Sequence, residues 1–433
     1  MLQKRLYNKV FKKLLKFFKQ LLGRKIKGHF LSRIRTLTAC ITGMIRNKSS
    51  HLSDLGKGLL RLITAHSRMK TAKKFVYNTA VNYETYYLPY VKALIELLIP
   101  ILPNKDTIEL VIDGSQMGKY HAILMVSLVF GKRSIPIGWL VKKGAKGHFS
   151  KANHVALIEQ VQRDIAEVLP NDRTIILLGD GEFGSIDLQQ CCLAANWSYV
   201  FRTAFNTRLY KDGEEFQPKE IGVCQLEDYA LIACDIVPPL EDLFPQTAEW
   251  EIPQDLQFVP NQDHVFVGQV EFSKQRFGEV QFVLWHDPNQ QKAVPLVSNL
   301  TDARLIIQAY DRRWAVECLF KDLKSTSFKL DKTRLADAAA ISNLVMIAAF
   351  AFTLLFKIGK TYQQHPIRAY IHQLRPDRVV YSTFNFALHL VGFLVEYDID
   401  FCFDQVVPIS IEDLKKRCKA QAFADETIAQ LIG

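Results

Sequence analysis

Residues 108–141 read IELVIDGSQMGKYHAILMVSLVFGKRSIPIGWLV, and this stretch decides the fold class. It holds three apolar runs of strand length, Ile108–Ile112, His121–Phe130 and Ser134–Val141, with Gly131 at a turn. Working outward, residues 154–169 have helical spacing, Thr174–Leu178 is a fourth apolar run, 185–196 is helical, and Ser198–Thr203 is strand-like. Three consecutive strands, then helix, strand, helix and strand, predict an α/β layered domain. The first and fourth runs are followed by aspartates, Asp113 directly and Asp180 after Gly179.

Further out the pattern changes on both sides. Residues 206–290 are rich in Pro, Gln, Phe, Val and charge, with strand-like pieces at 229–237, 264–273 and 279–285, which predicts a β-rich insertion. Helical spacing resumes at Thr301 and dominates to about residue 360. Upstream, Pro100 and Pro103 mark a boundary, and Leu2, Leu6, Val10, Leu14, Phe17/Phe18 and Leu21 recur at three- and four-residue spacing. That spacing predicts an amphipathic helix with lysines on its other face. More helix is expected over 30–48, 52–65 and 69–99, with Ser53 as an N-cap. The expected division is therefore 1–103 all-helical and basic, 104–205 the first part of the core, 206–292 the β insertion, 293–360 the second part of the core, and 361–433 mostly helical.

The chain has 433 residues, is 48% hydrophobic and 23% charged, and carries a formal charge of +11. This excludes wholesale disorder and a multi-span membrane protein. The charge is concentrated at one end. Residues 1–74 contain twenty Lys/Arg and one acid, Asp54, a net of +19, whereas the remainder nets −8. A polyanionic partner for the first segment follows, nucleic acid ahead of a membrane surface. The eight cysteines show no C-x-x-C spacing and suit free thiols in a reducing cytoplasm. The longest apolar run, Leu344 to Phe356, is shorter than the ~20 residues a spanning helix needs, so it reads as a buried core helix.

Residues 310–324 read YDRRWAVECLFKDLK. On a helix, Tyr310, Arg313, Glu317 and Lys324 share about 60° of arc, one ionic stripe about 20 Å long beside an apolar stripe. Arg312 interrupts the apolar stripe without an evident reason. Carboxylates at two strand ends and a third on a later packed helix can converge at one sheet edge. Three such groups repel unless a divalent cation neutralises them, and hard oxygen ligands favour Mg²⁺, with Mn²⁺ as substitute. Two ions bridged by shared carboxylates can activate a water and stabilise a leaving phosphodiester oxygen.

With these residues in order, the chain resembles DDE transposases of the bacterial insertion-sequence family numbered 4. The stripe matches that family's Y-(2)-R-(3)-E-(6)-K pattern. Asp113 in IELVIDGSQMG and Asp180 in ILLGDGEFGS resemble its two aspartates, with Gly179 and Phe183 keeping a G-D-x-x-F context, and Arg202 in YVFRTAF resembles its strand-borne arginine. VSNL at 297–300 resembles the segment before the last catalytic helix, and the likeness spans about residues 50–360. The resemblance implies an RNase H-like catalytic domain with a mainly β insertion, preceded by an all-helical basic DNA-binding domain. It implies Asp113, Asp180 and Glu317 as catalytic metal ligands, and Tyr310, Arg313, Lys324 and Arg202 as DNA contacts. It implies cut-and-paste chemistry on double-stranded DNA, at transposon ends and target, by a homodimer on that DNA, with no membrane partner and a cytoplasmic location. Family members that form a DNA hairpin hold a flipped base with a tryptophan, but here that position is Val294; Trp285 and Trp250 are better read as core. His148, His154 and Lys146 lie in a polar stretch that reads as a surface loop or a DNA contact. The competing readings are a catalytically inactive transposase-derived DNA-binding protein and a membrane-surface protein using residues 1–22.

Overall fold

A computed structural model of the chain describes residues 2–23, 26–59, 63–144, 148–223, 265–285, 293–365, 367, 368, 371 and 382–396. The expected piece at 229–237, Trp250, Lys146 and the C-terminal 397–433 lie outside them.

The core is a mixed sheet. Its strands are β1 (Thr107–Met117), β2 (His121–Phe130), β3 (Arg133–Lys143), β4 (Thr174–Gly179), β5 (Ser198–Arg202), β6 (Leu209–Lys211), β7 (Glu214–Phe216), β8 (Val265–Phe272), β9 (Phe277–Trp285) and β10 (Val294–Ser298). Their order across the sheet is β3-β2-β1-β4-β5-β10-β9-β8-β6-β7. β1, β2 and β3 form an antiparallel meander, whereas β4 runs parallel to β1 and β5 parallel to β4. Each parallel step needs a crossover, and α7 (Lys151–Ile165) and α8 (Ile186–Ala194) supply them. Ser150 and Ser185 cap these helices by accepting backbone N–H bonds.

Two expectations about the sheet change. β1 does not stop at Asp113 but continues to Met117, because β2 stays paired with it as far as Met117↔His121. The strands of the insertion that are described do not form a separate body: β9 pairs with β10, so they extend the same sheet. Trp285 is buried opposite Val294, as core packing requires.

The upstream helices are α1 (Leu2–Leu21), α2 (Gly28–Asn47), α3 (Leu52–Gly56), α4 (Ala65–Val76), α5 (Tyr83–Tyr86) and α6 (Leu88–Leu98). The expected helix over 52–65 is short, and its N-cap is His51, in an extended conformation, rather than Ser53; just before it, the Ser50 N–H bonds the Phe328 carbonyl. The expected helix over 69–99 breaks where Asn78 and Asn82 accept backbone N–H bonds from Ala80 and Thr85, and restarts with Pro89 in its first turn.

After a short helix α9 (Pro218–Val223), the glutamate-bearing segment is not one α-helix. It comprises α10 (Ala303–Asp311), a 3₁₀ turn (Arg312–Trp314), α11 (Ala315–Lys321) and a π turn (Asp322–Thr326). The apolar run lies in α12 (Ala338–Thr361), capped by Asp337, and α13 (Thr383–Glu396) packs beside it. α12 is long and apolar enough to cross a membrane, yet 89% of its most apolar window is buried inside the protein. Val10, Leu14 and Phe18 of α1 are buried, and Phe18 meets Phe350 of α12 edge-on at 5.1 Å between ring centroids. Tyr83 and Tyr87 donate their hydroxyls to the carbonyls of Ile137 and Pro136 on β3. The basic helices thus share one apolar core with the sheet.

Candidate active site

Register brings the two aspartates level. β1 and β4 pair in parallel from Thr107↔Thr174 to Val111↔Leu178, and two residues beyond that last pair stand Asp113 and Asp180. Past Gly179 the chain turns tightly: Asp180 Oδ1 accepts the Glu182 N–H at 2.9 Å, and its carbonyl accepts the Phe183 N–H at 3.0 Å. A Cβ at Gly179 would stand 2.6 Å from the Phe183 Cβ, so only glycine lets the buried Phe183 fold under the turn. That is the physical content of the G-D-x-x-F spacing.

α11 packs on β1 and β3 and carries Glu317 toward Asp113. Arg313 donates to Glu317 Oε1 at 2.7 Å, and its guanidinium lies 5.8 Å from the Tyr310 ring centroid. Lys324 donates to Ser115 Oγ on β1, and Arg202 closes β5 opposite Leu296. Arg312, unexplained by the helical stripe, has its partner on β1: its Nε and one Nη donate to the two carboxylate oxygens of Glu109.

These side chains influence one another electrostatically. Burial pushes the Asp113 carboxyl up to about 7; Asp180 and Glu317 push the same way, while Arg313 and the Gly114 N–H oppose them. Burial also raises Tyr310, against Arg313 and Arg202, and Asp180 acts on it too. For Arg313, burial disfavours the charge, but Tyr310, Glu317 and Asp113 outweigh it and hold its pKa above the usual value. Lys324 is lowered by burial, with Asp331 and Asp113 opposing. Asp113, Asp180, Glu317, Tyr310, Arg313, Arg202 and Lys324 are thus linked to one another electrostatically.

Among the described residues, no three His, Cys, Asp or Glu side chains stand together closely enough to hold a metal ion as they are. Glu317 is engaged by Arg313 instead. The donor chemistry nevertheless suits a hard divalent cation: all-oxygen, anionic, and mutually repelling at Asp113.

Two further carboxylates have partners that the sequence did not disclose. Glu182, two residues after Asp180, accepts the Phe149 N–H at 2.7 Å and sits 3.0 Å from His148 Nδ1 and 3.5 Å from His154 Nε2. His154 is no loop residue: it is buried in the first turn of α7 against Phe183, and burial lowers its pKa. His148 is exposed. Glu109, the other carboxylate, gave no local signal, since its partner is 203 residues away. Cys40, Cys191, Cys192 and Cys318 are free thiols.

Residues 104–354 match a family model described as a transposase DDE domain. No curated protein matches the chain. Among solved structures, an endonuclease V of Ciona intestinalis, in complex with a 23mer DNA containing an inosine followed by a ribo-adenosine, is similar at 11% identity. The match covers 56% of this chain and 90% of that one, but its TM-score of 0.23 is too low to bear on function.

Proposed function

Because this chain belongs to the transposase DDE domain family, we propose that it is an insertion-sequence transposase of the YREK type, cutting double-stranded DNA at element ends and joining the freed ends to target DNA. The observation that carries this is the convergence of Asp113, Asp180 and Glu317 with Tyr310, Arg313, Arg202 and Lys324. The sheet order β3-β2-β1-β4-β5 supports an RNase H-like reading of the catalytic core.

Asp113, Asp180 and Glu317 would hold Mg²⁺, which when bound supplies a Lewis acid for the phosphodiester and lowers the pKa of an attacking water. Arg313, now on Glu317, would move to a DNA phosphate, freeing that carboxylate; Arg suits phosphate through its paired donors. Lys324 and Arg202 would fix the strand by its phosphates, and Tyr310 would orient Arg313. Lys9, Lys12, Lys16 and Lys19 lie on the exposed face of α1 and would track the DNA backbone outside the site. Cutting two ends in one complex favours a dimer on DNA, and a DNA substrate favours the cytoplasm.

The test is Glu317→Gln, incubated with Mg²⁺ and a DNA fragment spanning the sequences that flank this gene. Loss of cleavage with binding retained is expected; undiminished cleavage would reject the assignment. Lys324→Ala is expected instead to weaken binding and to make its salt dependence shallower.

A further inference from the structure

The glutamate-bearing segment lies along β1 in register. Side chains leave a strand on alternate faces, so Glu109, Asp113 and Ser115 share one face of β1. From 109 to 115 the strand spans about 20 Å at ~3.3 Å per residue. From 312 to 324 the segment, at roughly 1.5–2.0 Å per residue through its α and 3₁₀ parts, spans about 18–24 Å. Over this common length the partners follow in the same order: Arg312 on Glu109 and Lys324 on Ser115, with α11, which carries Glu317, packed on β1 between them.

Between these two contacts Glu317 and Asp113 carry like charge and repel, so they cannot fix the segment on β1 themselves. The two contacts attract, and the first is the better built. Arg312 grips both oxygens of Glu109, a carboxylate only 6% exposed, which also accepts the Thr107 hydroxyl at 3.4 Å. The 3₁₀ turn at Arg312–Trp314 is where this grip is delivered, just before α11 carries Glu317.

We propose that Glu109 and Arg312 are a positioning pair for the reaction: they set the register of the glutamate-bearing segment on β1 and so the placing of Glu317 relative to Asp113. The proposal rests on the transposase reading for its kinetic consequence, but not for its structural one. Neither residue touches the reacting phosphate; both act through Glu317.

The test uses the full chain, Mg²⁺ and the gene-flanking DNA. Arg312→Gln and Glu109→Gln are expected to slow single-turnover cleavage by about 10²-fold, the scale of a ~1 Å misplacement, with the DNA dissociation constant nearly unchanged; both also lower the melting temperature, because each leaves a buried or partly buried partner unpaired, so rates are compared at a temperature where every variant is folded. Arg312→Lys, which keeps the charge but not the fork, is expected to cleave faster than Arg312→Gln. Crystal structures of wild type and Arg312→Gln provide a readout free of activity, with Glu317 expected to shift relative to Asp113 by about 1 Å. An unchanged rate, a loss carried wholly by DNA affinity, equal rates for Arg312→Lys and Arg312→Gln, or an unmoved Glu317 would overturn the proposal. Absence of cleavage by wild type would count against the transposase reading alone, and the crystallographic comparison would still decide the positioning.

Discussion

Strand β1 and helix α12 are both wrapped by the rest of the chain, yet they are built on opposite terms. α12 is buried from Ala340 to Phe356 apart from Ser342, and Phe350 meets Phe18, Tyr87 and Tyr90 at 4.9–5.1 Å between ring centroids. Its few buried polar groups are satisfied nearby: Thr353 bonds the Ala349 carbonyl, and Asn343 donates to the Val76 carbonyl. β1 instead sets charges on one face under a charged segment, and Asp113 there faces two further carboxylates. The first arrangement stabilises the fold. The second costs stability wherever Asp113 is charged, an arrangement that the proposed metal site would put to use.

The contrast can be broken most forcefully at the site. Asp180→Asn is expected to lower Mg²⁺-dependent cleavage of the gene-flanking DNA by at least about 10²–10³-fold, the scale of losing one preorganised charge-stabilising group, while the melting temperature holds. At α12 the effect should fall on stability instead. Phe350→Ala is expected to cost about 3–5 kcal/mol in denaturant unfolding.

The pH dependence sharpens the same point. A carboxyl raised from 3.8 to about 7 binds its proton more tightly in the folded state than in the unfolded state. Asp113 therefore favours folding below about pH 4, and that contribution is lost as pH rises through about 7, at a slope no steeper than ~1.4 kcal/mol per unit. Asp113→Asn is expected to remove this slope in metal-free buffer and to stabilise the protein at pH 8. Asp322, pushed up to about 6 mainly by burial, keeps its own share. The smallest effect belongs to the exposed face of α1. Lys12→Ala or Lys16→Ala is expected to lower the salt slope of DNA binding by about one each, with stability changed by less than ~0.5 kcal/mol.

Much of both regions was legible in the sequence, for separate reasons. Burial of α12 follows from an unbroken apolar run, and the level placing of Asp113 and Asp180 follows from two apolar runs of similar length, Ile108–Ile112 and Thr174–Leu178, that pair in parallel. The stripe from Tyr310 to Lys324 was also legible, but its backbone was not. A 3₁₀ turn and a π turn depend on which carbonyl each N–H chooses, and side-chain spacing does not encode that choice. Arg312 looked misplaced because its partner, Glu109, lies on a strand distant in sequence. Membership of β8 and β9 in the central sheet was hidden as well, since apolar alternation says that a strand pairs, not with which neighbour.

The most direct test of the convergent site is a Mn²⁺ titration followed by electron paramagnetic resonance, on the full chain bound to gene-flanking DNA. Wild type should bind the ion, and Asp113→Asn and Glu317→Gln should each weaken that binding by tenfold or more, roughly the scale seen when a metal site loses a supporting group. Equal Mn²⁺ affinity in all three proteins would contradict it.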